Sequence, residues 1–304
     1  MKRCLVALLG GLLLLAGCKN DKVDVVKVMT AADTAQTIQE QPSSETVAEE
    51  EEDMLASQPM PTSAEKLFDD FIFNFASSKR LQMERIVFPL KVNSGYKVEE
   101  IQKADWQMER FFMDDGAYTI LFDSEAQMER MKDTQVSEVI VERIFLEREF
   151  IRQYLFSRQN GRWMLCEIRN QTLPKNPNAS FIRFYHQFVT DSSFQRASLS
   201  DEIDYAGPDP DDDYEQLDDG YTGVAMYDGE EEDNDSLVGF ISPDLWTDFA
   251  PELPQTILYN IVYGYHEADS TRKILLLRGV ANGLEEELTF ERKGQMWMLT
   301  KLSR

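Results

Sequence analysis

Phe68-Asp69-Asp70-Phe71-Ile72-Phe73-Asn74-Phe75 returns 113 residues later as Phe181-Ile182-Arg183-Phe184-Tyr185-His186-Gln187-Phe188. In both stretches aromatic residues recur every three or four positions, the period of one helical face, so each predicts an amphipathic helix with a phenylalanine stripe on a core. The same offset carries Leu81 onto Phe194 and Gln82 onto Gln195. Further along, Trp106 maps onto Trp246 with an offset of 140, and Thr119-Ile120-Leu121-Phe122 onto Thr256-Ile257-Leu258-Tyr259 with 137. Phe156, Arg158, Trp163 and Leu165 map onto Phe290, Arg292, Trp297 and Leu299 with 134. Chance placement of aromatics has no reason to preserve order, so the pattern reads as a duplicated unit. The step from 113 to 140 assigns 27 extra residues to the second copy, in the acidic stretch 207–236, which is expected to be surface loop.

Each copy closes on strand-like segments rich in β-branched and aromatic residues: 138–146, 150–157 and 162–169, then 273–280, 285–292 and 295–302. Asn160-Gly161, Asn282-Gly283 and Lys293-Gly294 are the hairpin turns between them, where positive φ is needed. Thr62-Ser63-Ala64-Glu65 reads as a capping box at the first helix start. Helices first and antiparallel strands last give an α+β class, helices on one face of a sheet. The closing strands look apolar on both faces, with Trp163 and Leu165 opposed to Met164, Cys166 and Ile168, and Trp297 and Leu299 opposed to Met298 and Leu302. Something must then cover the outer face. Sheet-to-sheet packing of the two copies, a pseudo-dimer within one chain, is the expected solution.

The N-terminus sets the address. Lys2 and Arg3 precede an apolar run from Leu5 to Leu15, followed by Ala16-Gly17-Cys18. A charged region, a short apolar core and small residues before the cleavage point form an export signal, too short to span a bilayer. Residues 1–17 are therefore expected to be a signal peptide, and Cys18 the lipid attachment site of a lipoprotein. Residues 18–61 are polar, with the run Glu49-Glu50-Glu51-Glu52-Asp53, and are expected to form a disordered acidic tether spanning roughly 35 Å. The first folded unit is expected at 62–173, a linker at 174–180 and the second unit at 181–304.

The 304 residues carry a formal net charge of −24, which becomes −26 once Lys2 and Arg3 leave with the signal. Such a balance repels phosphate backbones, so nucleic acid is not an expected partner. Cys4 leaves with the signal and Cys18 carries lipid, so Cys166 has no partner for a disulfide and reads as a small buried hydrophobe.

The helix around Phe71-Ile72-Phe73-Asn74-Phe75 with Gln82 to Phe88 behind it, the Trp106 helix and the closing Gly161-Arg162-Trp163-Met164-Leu165 resemble the nuclear transport factor 2-like superfamily. The match is closer to uncharacterised two-repeat lipoproteins of Gram-negative anaerobes. It covers about residues 62–304 and implies two tandem cones, each a helix pair packed on a curved antiparallel sheet. It implies no mechanism, because that lipoprotein family has no established activity.

Catalytic signatures are absent from the sequence: no Gly-x-Ser-x-Gly, P-loop, His-Glu-x-x-His or Cys-x-x-Cys. Two histidines, His186 and His266, are too few for a three-histidine metal site. Asp209, Asp211 and Asp213 have the alternate spacing of a calcium loop, but Tyr214 and Gly220 stand where its glycine and bidentate glutamate belong. No cofactor is expected. The first functional reading is a non-catalytic binding or scaffold module for a small molecule, glycan or protein. It would be anchored in the envelope of a Gram-negative bacterium, at the outer membrane, facing the periplasm or the cell surface. An isomerase or dehydratase-like enzyme is the alternative, with Tyr118, His186, Tyr259, Tyr263 and His266 as possible proton-transfer groups. An acidic inhibitor or immunity-type protein is the third.

Overall fold

Helix α1 (Phe68–Ser77) turns Phe68, Phe71, Ile72, Phe75 and Ala76 inward, the one-face spacing read from the sequence. Asp69 and Asp70 occupy its first turn, where carboxylates complement the helix dipole. Of the expected capping box Thr62-Ser63-Ala64-Glu65, Glu65 alone is among the described residues. Its carboxylate accepts from Arg85 and from the Trp163 backbone N–H at 3.4 Å. Ser78 caps α2 (Lys79–Arg85) by accepting from the Leu81 N–H. The computed structural model describes residues 65–208, 224–226, 236–264 and 270–304. The signal segment, Cys18, the tether, Thr62 to Ala64, Asp209, Asp211, Asp213 and His266 lie outside them.

The fold is α+β and mostly sheet. Strands β1 (Ile86–Asn93) and β2 (Val98–Ile101) follow α2 directly, so strands begin far earlier than the helices-first reading expected. Trp106 follows a single 3-10 turn (Lys103–Asp105) and is not on an α-helix. Then come β3 (Ala117–Phe122), the short α3 (Glu125–Met128), and the hairpin series β4 (Glu138–Phe145), β5 (Phe150–Gln159) and β6 (Arg162–Thr172). The second half continues with α4 (Ala179–Thr190), α5 (Ser192–Ala197), β7 (Leu199–Pro208), β8 (Val224–Met226), β9 (Ser236–Ile241), α6 (Trp246–Phe249), β10 (Ile257–Val262), β11 (Arg272–Gly279), β12 (Glu285–Lys293) and β13 (Met296–Ser303). The acidic insertion is not all loop, because β8 lies within it and pairs with β9. Within the segment 174–180, read as a linker, Asn176 and Asn178 are buried and Ala179 already starts α4.

All these strands join one sheet, in the order β2-β1-β6-β5-β4-β10-β3-β11-β12-β13-β7-β9-β8. The pairing is mixed, since β1 with β6, β3 with β10, and β7 with β13 run parallel. At the centre the halves exchange strands. β10 of the second half pairs with β4 of the first over six residue pairs, and β3 of the first pairs with β11 of the second over six. The halves therefore merge edge to edge, where sheet-to-sheet packing was expected. The register also sets Leu121 opposite Leu275 and Ile261 opposite Val141, so the matching residues of β3 and β10 are 140 apart, not 137.

Two cores lie on opposite faces of the central strands. Tyr118, Ile120, Val139, Val141, Tyr259, Ile261, Ile274 and Leu276 face the core under α1, while Leu121, Ile144, Leu258 and Leu275 face the core under α4. Strands covered on both faces lose their polar alternation, which explains the unbroken run Ile274-Leu275-Leu276-Leu277. The closing strands β6 and β13 are a different case. In β6 Phe156 pairs with Leu165 and Leu155 with Glu167, so a bulge at Cys166 returns Ile168 to the face of Leu165. In β13 Thr300 does the same for Leu302. A bulge inserts one residue and resets the alternation. The outer face thus carries half-buried Met164, Cys166 and Met298 and exposed Met296, not a second buried apolar layer.

Candidate functional site

Both cones are filled with aromatic side chains. Phe156 packs on Phe68, Phe71 and Phe75 with ring centroids 5.2–5.9 Å apart, and Phe290 packs on Phe181, Phe184 and Phe188 at 5.3–5.7 Å. Trp163 and Trp297 close the two stacks. Polar side chains nevertheless meet at the junction of the halves and around Glu109 in the first.

Three of the five proton-transfer candidates lie on or beside the central strands. Tyr263, just after β10, donates to Asp69 of α1, and Arg278 of β11 donates to the other Asp69 oxygen at 2.8 Å. Arg278 also binds Glu285, and Tyr118 sits beside it from β3. Burial raises the Asp69 carboxyl above its ordinary range, opposed by the Tyr263 hydrogen bond and Arg278. Burial beside Asp69 likewise raises the Tyr118 and Tyr263 phenols. Asp69 thereby ties α1 to β11 and to the segment after β10.

This arrangement has a pH signature. A carboxyl whose folded-state pKa is raised binds protons more tightly in the native state than in the unfolded chain. Stability from that group is highest in acid, and is lost as pH rises from 3.8 through the folded value. Asp69→Asn, which keeps an acceptor for Tyr263, is expected to flatten that part of the stability–pH curve. Urea titrations at half-unit pH steps check it; an unchanged slope contradicts the assignment.

The third tyrosine, Tyr259, lies at the mouth of the first cone. There the Glu109 carboxylate accepts from the Tyr154 hydroxyl at 2.6 Å and approaches Arg143 at 3.6 Å. Arg143 lies 5.5 Å over the Tyr259 ring and 5.1 Å over Phe145, and Arg152 lies 5.5 Å over Tyr154. The loop carrying Glu109 is fixed from below. Gln82, fully buried, donates to the carbonyls of Phe75 and Glu109 and accepts from the Trp106 indole and the Glu109 N–H. Phe111 holds a left-handed φ of 51° and covers Tyr154 at 4.8 Å.

His186 stands apart from all of this. It is half-buried in a groove of about 380 Å³ between α4 and the β4–β5 turn, with Leu146, Leu173 and Ile182 beneath. Arg183 forks onto Glu149 at its edge, at 2.6 and 2.9 Å. Among the described residues, no group of three His, Cys, Asp or Glu side chains is placed to hold a metal.

Two buried polar networks were not foreseen. Glu142 of β4 accepts from Gln153, Asn176 and Asn260, tying both halves together at 2.8–3.1 Å. Lys273, inside the second cone, donates to Asp123 and, at 2.6 Å, to Asn178. No motif announces these groups, and only the register brings them together.

A family model for a domain of unknown function, DUF4348, matches residues 47–304. The chain belongs to this family. A solved structure described as an NTF2-like protein from Bacteroides fragilis is 34% identical to the chain, covers 81% of it and 98% of its own length, and superimposes with a TM-score of 0.67. The nuclear transport factor 2-like fold is thereby shown for this member of the family. No functionally curated protein matches the chain.

Proposed function

We infer that the chain is an extracytoplasmic lipoprotein of a Gram-negative cell envelope. It is anchored through Cys18, at the outer membrane, and acts as a non-catalytic binding or scaffold module. Its two halves, on this reading, descend from one duplicated unit: Val139 pairs with Phe156 as Lys273 pairs with Phe290, in the same register 134 residues apart. The observation that carries the binding role is the aromatic filling of both cones. An isomerase or dehydratase needs a proton-transfer group facing a substrate-sized cavity, whereas the Asp69–Tyr263 pair is engaged by Arg278. Ligand contact then falls to outer surfaces, above all the mouth of the first cone. In the producing cell, Cys18→Ala is expected to lose palmitate label and leave the membrane fraction. Retention of both label and membrane association contradicts the anchor.

A further inference from the structure

Strands β4 and β5 set Arg143 directly opposite Arg152. Like charges facing each other across a strand pair are destabilising. Elsewhere the strands avoid this: Arg272 faces Glu291, Arg278 faces Glu285, Lys91 faces Glu100 and Lys301 faces Asp204. Among the described strand registers, Arg143 and Arg152 form the one basic pair. It stands in a chain with a formal charge of −24.

The pair is unequally neutralised, because Arg143 has the Asp115 carboxylate near it as well as Glu109. Glu109 reaches Arg143 at 3.6 Å while its other oxygen is held by Tyr154. Arg152 makes no ion pair among the described residues. In the second half the matching positions hold Leu277 opposite Glu286, and Glu286 is paired with Arg304 at 3.1 Å. That mouth neutralises itself. The first does not.

The row next outward is aromatic, with its two rings tilted 43° to each other. Phe145 pairs with Phe150, their rings 5.8 Å apart and both half-buried, and Arg148 lies 5.9 Å over Phe145. A guanidinium matches the fork of a carboxylate, and aromatic faces accept the apolar face of a ring.

We propose that this row is a binding site for a ring-bearing carboxylate, one per chain. Arg143 and Arg152 take the carboxylate, and Phe145 and Phe150 take the ring. This rests on the binding-module reading and gives it a ligand class, shared by uronic-acid sugars and aromatic acids.

Calorimetric titration of the mature chain, residues 18–304, tests the site with digalacturonate and benzoate against their neutral counterparts, galactobiose and benzyl alcohol. At least one acid is expected to bind with a stoichiometry near one while its neutral partner does not, and which acid binds identifies the source. Arg152→Gln is expected to weaken binding by about tenfold or more, the worth of a charge-assisted hydrogen bond, and Arg152→Lys by less. Glu109→Gln, which removes the competing carboxylate and keeps the fold-supporting backbone contacts to Gln82, is expected to tighten it. Should Arg152→Gln fail to fold, Glu109→Gln carries the test alone. Failure of both acids to bind, or equal binding of acid and neutral probes, overturns the proposal, as does unchanged affinity in the folded variants. Neutral-probe binding that persists in Arg152→Gln would leave the module reading standing without this site.

Discussion

Replacing Lys273 by alanine is expected to lower the unfolding free energy by about 3–5 kcal/mol, the usual cost of leaving a buried charge without its partner. The Lys273 and Asp123 side chains are each only 3% exposed. Asn178, at the N-cap of α4, adds its side-chain oxygen to the ammonium. Truncating the lysine removes the ammonium that donates to the Asp123 carboxylate, and Asp123→Ala should cost a similar amount for the reverse reason. The matching position in the first half is Val139, fully apolar, so the site itself does not demand a charge. Lys273→Met combined with Asp123→Leu is therefore expected to recover most of the loss, since a buried pair offers little net stability over well-packed apolar groups. Urea unfolding of the single and double variants completes the cycle. Single variants that lose less than about 1 kcal/mol would mean that water reaches the pair.

Phe156→Ala and Phe290→Ala are each expected to cost about 3–5 kcal/mol, the range for emptying a buried phenylalanine site. Phe156 touches three phenylalanines of α1, and Phe290 three of α4, so neither cavity can collapse without moving a helix. The two substitutions lie in different halves, yet the cores share β3, β4, β10 and β11. Either change should lower the midpoint of one common transition. A variant that melts only its own half, leaving the other at the wild-type midpoint, would show that the shared strands do not couple the cores.

Local chemistry was largely legible in the chain. The phenylalanine stripes of α1 and α4 declared themselves by spacing, and β4, β5, β6, β11, β12 and β13 fall within a few residues of their β-branched runs. Asn160 and Gly161 take the positive φ their turn needs. What escaped notice depends on contacts between distant segments. β3 and β10 are too short to announce which neighbour they choose, so their exchange between halves left no local trace. The bulges at Cys166 and Thr300 invert the alternation that made β6 and β13 look apolar on both faces. The Arg143–Arg152 pair is invisible until β4 and β5 are in register, and the acidic total of the chain argues against looking for it. Trp106 has the company of a helix but follows one 3-10 turn, its indole spoken for by Gln82.

The exchange of β3 and β10 is the claim on which the single sheet, the paired cores and the placement of the first mouth all depend. Differential scanning calorimetry of the mature chain addresses it directly. One endotherm is expected, with calorimetric and van't Hoff enthalpies in agreement, because neither half can keep its core once the other withdraws its strand. Two resolved endotherms, each with the enthalpy of about half the chain, would contradict the interlocked sheet.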